Sequence, residues 1–115
     1  MLEIKDKGYL LKIIQHCDRI QETLSKINKK EFDNSMDYKE VICFNILQIG
    51  ELSKKLSDGF INNYNEIPWR LVKGMRDKIV HDYGTIDYDI VWNTANKDIH
   101  DLNKYCKKII INKHN

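Results

Sequence analysis

The chain has 115 residues, of which 42% are hydrophobic and 31% are charged, and its formal net charge is +2 at pH 7. These values predict one globular domain covering residues 1–115, and they exclude nucleic-acid binding through overall positive charge, so such binding requires a local basic patch. No apolar run approaches the roughly 20 residues that span a bilayer, and the first residues lack the apolar core of a signal peptide. We therefore expect a cytoplasmic protein with no membrane partner.

The apolar residues in the first half of the chain recur at helical spacing. From Leu10 they follow alternating steps of three and four, which predicts a first helix of about 25 residues. This stripe consists of Leu10, Ile13, Cys17, Ile20, Leu24 and Ile27. The polar segment 28–36 interrupts the pattern and predicts an irregular connection. Asp37 and Glu40 then have the spacing of a capping box and predict the start of a second helix, which ends before Gly59.

The second half of the chain predicts two further helices. Pro68 suits the first position of a third helix, which continues to Tyr83 and is ended by Gly84. Asp87 is expected to cap a fourth, continuous helix. Its apolar stripe is Trp92, Ala95, Ile99, Leu102, Cys106 and Ile109. Four helices with short connections and no alternating strand pattern predict an all-α antiparallel bundle.

The spacing of cysteines and histidines indicates neither a disulfide framework nor a metal site. The three cysteines form no CxxC pair and lie among apolar residues, so we expect reduced, buried thiols. The histidines outside residues 76–83 show neither ExxH nor HxxxH spacing, so we expect surface side chains, no metal and no bound cofactor. These residues are Cys17, Cys43 and Cys106, and His16, His100 and His114.

The segment RDKIVHDY at residues 76–83 concentrates titratable side chains on the predicted third helix. Arg76 and Tyr83 are seven residues apart and are expected to share a face, while His81 is expected in the last turn, where the helix dipole and Asp82 favour the imidazolium. Histidine exchanges protons near neutral pH, and arginine stabilises charge on a phosphate, so the set suits cleavage of an RNA phosphodiester without a metal. A solvated helix end explains the same residues.

This chemistry needs more than one proton-transferring group. A single His81 cannot readily remove the proton of an attacking 2′-hydroxyl and protonate the leaving oxygen in one step. A symmetric dimer supplies two copies of Arg76 and His81, so the chemistry predicts a homodimer with a composite site across its two-fold axis.

Several other residues have both a functional and a structural interpretation. Asn45 and Glu51 either line the cleft and orient the catalytic side chains, or belong to a polar face or a buried hydrogen bond. Asp77 either pairs with a basic residue of the partner chain or is solvated. Trp69 and Trp92 either stack on RNA bases or anchor the core. Six lysines either form a basic patch for RNA or lie on solvated faces, namely Lys26, Lys29, Lys30, Lys104, Lys107 and Lys108.

Residues 76–83 resemble the RX4HXY motif of the HEPN superfamily, in its HepT-like branch. Three stretches resemble the same branch, and the second of them contains the motif: NILQIGELSKKLS, EIPWRLVKGMRDKIVHDY and IDYDIVW. Together they cover residues from about 41 to 92. The chain departs from the pattern at Gly84 and Thr85, where many relatives carry an aromatic residue after the motif tyrosine, and at Leu52, where a small residue is commoner.

The resemblance implies a homodimeric HEPN bundle of four to five helices, with the motif at the dimer cleft. It implies a metal-independent endoribonuclease that cleaves tRNA or mRNA, the toxin of a type VII toxin–antitoxin system, with Arg76 and His81 as the catalytic residues. In such systems the antitoxin is an MntA-like minimal nucleotidyltransferase, which transfers AMP from ATP to the motif tyrosine, here Tyr83. The alternative is a non-catalytic HEPN subunit that binds a nucleotide or a partner within a nucleotidyltransferase complex.

Overall fold

The computed structural model describes the backbone of residues 2–114 and the side chains of residues 2–112. The helices in this part of the chain are α1 Ile4–Leu24, α2 Lys29–Asp33, α3 Met36–Ser53, α4 Asp58–Asn63, α5 Trp69–Lys73, α6 Met75–Ile79, α7 Tyr88–Asn96 and α8 Asp98–His114. Between residues 2 and 114 no strand forms, and Val80 and Ile86 pair as an isolated antiparallel bridge. The predicted all-α fold is confirmed. No helix in the described range is long and apolar enough to cross a membrane.

The long helices α1, α3 and α8 enclose the core, with α1 in contact with both of the others. Four of the six residues of the predicted stripe, Leu10, Ile13, Cys17 and Ile20, are 0% exposed. Leu24 and Ile27 are only partly buried, and Ile27 lies beyond the end of α1. All three cysteines are buried free thiols, as expected. Burial raises their pKa values, that of Cys106 to about 12, so the thiols are uncharged at neutral pH.

The segment predicted to be irregular contains α2. The Asn28 side chain accepts a hydrogen bond from the Glu31 N–H, and the Glu31 carboxylate accepts one from the Asn28 N–H, which makes a capping box. Phe32 anchors this short helix because it is fully buried and its ring lies 5.0 Å from that of Trp92. The predicted cap of the next helix was wrong, since the Ser35 hydroxyl caps α3 by accepting from Tyr38 N.

The region between α3 and α6 departs most from the predicted pattern. α4 was not predicted, and its cap, Ser57, is bound to the buried carboxylate of Asp6. The predicted third helix is divided at Gly74 into α5 and α6, and Pro68 precedes the first helical residue. Trp69 is 3% exposed and its indole N–H donates to the Tyr64 carbonyl, so the prediction that it anchors the core is confirmed.

The predicted fourth helix begins as expected but is not continuous. Asp87 caps α7, since its carboxylate accepts a hydrogen bond from Ile90 N. The chain then breaks at Lys97 (φ −110°, ψ −66°) and resumes as α8. The break allows α7 to pack against α3 while α8 packs against α1. The apolar spacing was therefore a correct guide to burial but not to continuity.

Candidate active site

The third helix was predicted to continue to Tyr83, but α6 ends four residues earlier, at Ile79. After Ile79 the backbone becomes extended at Val80 (φ −95°, ψ 115°), which pairs with Ile86. The Asp87 N–H donates to the Ile79 carbonyl at 2.9 Å and closes the base of the loop. Residues 80–87 thus return on themselves, and we call them the motif loop. The β-branched side chains of Val80 and Ile86 suit extended backbone better than they suit a helix end.

The helical positions predicted for the motif were therefore wrong. Arg76 lies on α6, but His81 and Tyr83 lie in the motif loop and share no helical face with it. His81 has extended backbone (φ −92°, ψ −177°) and is not part of the last turn of α6. The helix-dipole argument for its protonation accordingly does not apply.

The tip of the motif loop is a tight turn that projects Tyr83 into solvent. The His81 N–H donates to the Thr85 carbonyl at 2.7 Å, and the Gly84 N–H donates to the His81 carbonyl at 3.1 Å. Tyr83 and Gly84 both have left-handed backbone, with φ of 64° and 74°. Tyr83 is fully exposed, so its phenol is open to any enzyme that modifies it.

A carboxylate positions the His81 ring. Nε2 of His81 lies 3.5 Å from Oδ2 of Asp87, and the two side chains are 53% and 35% exposed. Oδ1 of Asp87 accepts from Ile90 N, and this bond, followed by the contact with His81, holds the pKa of Asp87 below its usual value. The ionised carboxylate lies beside Nε2 of the ring, which leaves Nδ1 as the nitrogen available to a substrate.

His81 borders an open depression of about 450 Å³ between the motif loop and the beginning of α3. Its lining residues are Asp33, Lys39, His81, Thr85, Ile86, Asp87, Tyr88 and Asp89. The Lys39 ammonium lies over the Tyr88 ring, 5.3 Å from its centroid. Burial and the neighbouring Cys43 and Glu40 raise the pKa of Tyr88, so its phenol stays protonated at neutral pH.

Arg76 presents a weakly paired guanidinium on the surface of α6. Its side chain is 57% exposed, and its only ion pair within the described residues is a 3.8 Å contact of Nη1 with Asp77. An exposed pair of this length competes weakly for a guanidinium. No direct contact joins Arg76 and His81 in the described chain.

A larger cleft, of about 640 Å³, lies between α5, α6 and α8, and it is lined by Lys78 of the motif but not by Arg76, His81 or Tyr83. Its walls are mostly apolar, and Leu71, 63% exposed, lies on its rim. Within residues 2–112, no group of three His, Cys, Asp or Glu side chains converges to hold a metal ion.

The sequence model of the family described as Ribonuclease HepT-like matches residues 13–109, which extend from α1 to α8 and include the motif loop. The chain belongs to the HepT-like ribonuclease family. No solved structure matched it. The resemblance read from the motif is thus confirmed, and this is a HEPN-type family.

One of the two departures of this HepT-like chain from the expected family pattern, Gly84, has a structural explanation. Gly84 has φ of +74° and open space where a side chain would begin, so glycine relieves backbone strain at the turn after Tyr83. An aromatic residue there would be strained in this loop conformation. Leu52 is 9% exposed and packs in the core cluster.

The polar residues of α3 take structural roles in this HepT-like chain. Asn45 is 4% exposed, its amide donates to the Val41 carbonyl, and its oxygen lies 2.7 Å from Nδ1 of His16. It therefore forms a buried hydrogen bond, and His16 is not a simple surface histidine. Glu51 is exposed and pairs with Lys54 at 3.3 Å, away from the motif loop.

Three of the six lysines considered as an RNA patch are neutralised within the HepT-like chain. Lys26 pairs with Glu22, Lys29 with Asp33 and Asp89, and Lys107 with Asp18. These contacts favour solvated, paired faces over a continuous basic surface.

Two residues beside His81 were not predicted to act there. Asp87 was recognised only as a helix cap, and Lys39 was not considered. In the sequence, Asp87 is the predicted cap of the next helix and lies six residues after His81. Its carboxylate can reach the histidine only if the residues between them form a closed loop. Nothing local marks Lys39, which reaches the site through the packing of α3.

Proposed function

We propose that this HepT-like chain is an endoribonuclease toxin that cleaves tRNA or mRNA as a homodimer and without a metal ion, within a type VII toxin–antitoxin system. The observation that carries the proposal is the pairing of His81 with Asp87 on an exposed loop that follows an exposed arginine, Arg76. A histidine held by a carboxylate suits proton transfer, and a weakly paired guanidinium suits phosphate binding.

The reaction is internal transesterification of RNA. The 2′-oxygen bonds to phosphorus and the bond from phosphorus to the 5′-oxygen breaks, which leaves a 2′,3′-cyclic phosphate and a 5′-hydroxyl. His81 of one protomer accepts the 2′-hydroxyl proton, and the imidazolium of the second protomer's His81 protonates the leaving 5′-oxygen. The Arg76 side chains stabilise the negative charge that accumulates on the phosphoryl oxygens.

A second copy of the chain is part of this proposal because each protomer has one His81. One His81 ring must be an imidazolium to act as the acid of the pair, and the other ring must be neutral to act as the base. Two rings near one phosphate meet this need, because protonation of the first disfavours protonation of the second.

Control of the toxin is proposed to act on Tyr83. The phenol oxygen attacks the α-phosphorus of ATP on an MntA-like nucleotidyltransferase, pyrophosphate leaves, and the phenol proton passes to the transferase or to solvent. The full exposure of Tyr83 supports this step. Attached AMP places bulk and negative charge two residues from His81, where it opposes the entry of RNA by steric exclusion and repulsion.

Cleavage of total RNA by the purified protein in EDTA tests the enzyme assignment. Arg76→Ala and His81→Ala should each lower the rate by at least about 100-fold, because general acid–base catalysis and phosphate stabilisation each contribute about that much or more. Lys78→Ala is the matched control, since this exposed cation lies on the same helix and should leave the rate within a factor of about two. Equal rates for all four proteins would reject the assigned roles.

Mixing wild type with an excess of His81→Ala tests the composite site. A mixed dimer has one His81 instead of two, so the excess should lower the rate per wild-type chain well below that of wild type alone. An unchanged rate per wild-type chain, with mixed dimers demonstrated by mass, would show that each protomer works by itself.

Intact mass after incubation with the nucleotidyltransferase and ATP tests the modification. The mass should rise in steps of one AMP unit for wild type and not for Tyr83→Phe. If wild type is modified but never cleaves RNA, the chain is instead the non-catalytic subunit of a nucleotidyltransferase complex.

A further inference from the structure

Lys39 brings a positive charge into the same depression as His81. The lysine side chain lies on the first turns of α3 and is half-buried. It makes no ion pair with any carboxylate of residues 2–112. A cation that lies beside the candidate catalytic histidine and is not neutralised within the chain is available to an anionic substrate.

The ring of Tyr88 positions this ammonium group without cancelling its charge. Nζ of Lys39 lies 5.3 Å from the ring centroid. The ring is itself fixed, because Tyr88 is the first residue of α7 and packs against the core cluster. A carboxylate in the same place would neutralise the ammonium, whereas the face of an aromatic ring attracts a cation and leaves its charge unchanged. Lys39 is therefore held at the depression as a full positive charge.

Each carboxylate in the depression has a partner other than Lys39. Both oxygens of Asp33 lie 2.8 Å from the Lys29 ammonium, which also lies 3.1 Å from Oδ1 of Asp89. The carboxylate of Asp87 caps α7 and lies beside the histidine. These contacts reduce the repulsion that the carboxylates exert on an incoming anion, and they leave the Lys39 charge uncommitted.

Arg76 does not supply a cation to the depression. It lies on α6 and is not among the side chains that line the depression. A phosphate in the depression therefore requires another cation. Phosphates repeat along an RNA strand, so Arg76 and a cation in the depression can bind different phosphates of one strand. Lysine suits such a contact, because its ammonium group binds phosphate as a point charge on a flexible stem.

We propose that Lys39 is a substrate-anchoring residue, which binds a phosphate of the RNA strand in the depression while the Tyr88 ring positions its ammonium group. The anchored strand then lies against His81. This inference rests on the proposed ribonuclease function, since it assigns part of the substrate contact of that site. No bond forms or breaks at Lys39, so the contact strengthens binding and leaves the proton transfers to the histidines.

Binding of a fluorescent single-stranded RNA oligonucleotide to the His81→Ala protein, which should not cleave it, tests the anchor. Adding Lys39→Gln should raise the Kd about tenfold at low salt, because a charge-assisted hydrogen bond to phosphate is lost. The slope of log Kd against log salt concentration should become smaller by about 0.7, as expected for one phosphate contact on a single strand. Lys39→Arg should retain both values. The matched control is Lys78→Gln, which removes an exposed cation of the 640 Å³ cleft and should change neither value.

Steady-state cleavage by the active protein separates anchoring from chemistry. Lys39→Gln should raise KM about tenfold and leave kcat within a factor of about three, since the contact acts on binding. Tyr88→Leu removes the ring and should raise KM about two- to fivefold, whereas Tyr88→Phe keeps the ring and should restore the wild-type KM. In the Lys39→Gln protein, Tyr88→Leu should have no further effect on KM, because the ring acts through the lysine.

The outcomes separate the anchor from the proposed ribonuclease. If wild type cleaves RNA but Lys39→Gln changes neither the affinity nor the salt slope, the anchor is overturned and the ribonuclease stands. If wild type binds RNA through Lys39 but never cleaves it, the anchor stands and the proposed activity is overturned. A tenfold loss of kcat at unchanged KM in Lys39→Gln would also refute the anchor, since the lysine would then act in the transition state.

Discussion

Replacement of Tyr83 by glycine should make the protein more stable. Tyr83 has a φ of 64°, in the left-handed region that non-glycine residues disfavour, and its side chain is fully exposed. Packing of the ring therefore does not offset the backbone strain. A strained residue without a structural role is expected where function selects the side chain, and here the phenol is the proposed acceptor of AMP.

The size of the effect follows from two opposing contributions. Left-handed backbone costs a non-glycine residue about 1–2 kcal/mol, and glycine removes this cost. Glycine also increases the conformational entropy of the unfolded chain, which offsets about 0.5–1 kcal/mol of the gain. Tyr83→Gly should thus raise the free energy of unfolding by about 0.5–1 kcal/mol. Asparagine tolerates left-handed backbone, so Tyr83→Asn should also be stabilising.

Urea denaturation followed by circular dichroism measures the difference. Tyr83→Phe is the control, because it keeps both the strain and the exposed ring and should match wild type within about 0.5 kcal/mol. The reasoning fails if Tyr83→Gly is less stable than Tyr83→Phe, since the ring would then make stabilising contacts or the turn would have another conformation.

Three further predictions concern the rest of the molecule. Ile90 N–H and then His81 lower the pKa of Asp87, so its carboxylate stabilises the fold above about pH 4 and this contribution is lost as the pH falls through the lowered pKa. Asp87→Asn, which keeps a capping side chain, should melt below wild type at pH 7, and the difference should shrink as the pH falls below about 4; a constant difference would contradict this. Asp6→Ala should lower the free energy of unfolding by about 3 kcal/mol, because both Ser57 donors lose a buried carboxylate, whereas a loss below about 0.5 kcal/mol would show that the contact is dispensable. The three buried cysteines should not react with a thiol reagent at pH 8 until the chain is unfolded, and fast reaction of any one in the folded protein would refute its burial.

The apolar spacing predicted burial well and helix boundaries poorly. The α1 stripe from Leu10 to Ile20 is buried as predicted, because side chains three and four apart necessarily share a helical face. The same spacing continued through Lys97, where the backbone breaks between α7 and α8. The spacing of apolar residues indicates which side of a helix faces the core. Two consecutive helices that bury adjoining stripes therefore give the same spacing as one continuous helix.

The identity of the site residues could be proposed from the motif, but their geometry could not. Arg76, His81 and Tyr83 were assigned to one helix, yet only Arg76 lies on α6. The helix ends because the backbone of Val80 pairs with Ile86, and the contact of Asp87 with His81 depends on the same closure. Backbone pairing across the loop competes with continuation of the helix. Helical propensity alone does not show that this pairing is possible.

The amino-acid sequence by itself determined the all-α class, the membership of the HepT-like family, the cap at Asp87 and the side chains available for chemistry. These features are local, since they depend on residue type and on spacing within a few turns. Only the tertiary structure decided that α6 stops at Ile79, that Asp87 returns to His81, and that Lys39 of α3 borders the depression. Such contacts join residues distant in the chain, and they form because burial of the apolar faces of α1, α3, α7 and α8 brings those residues together.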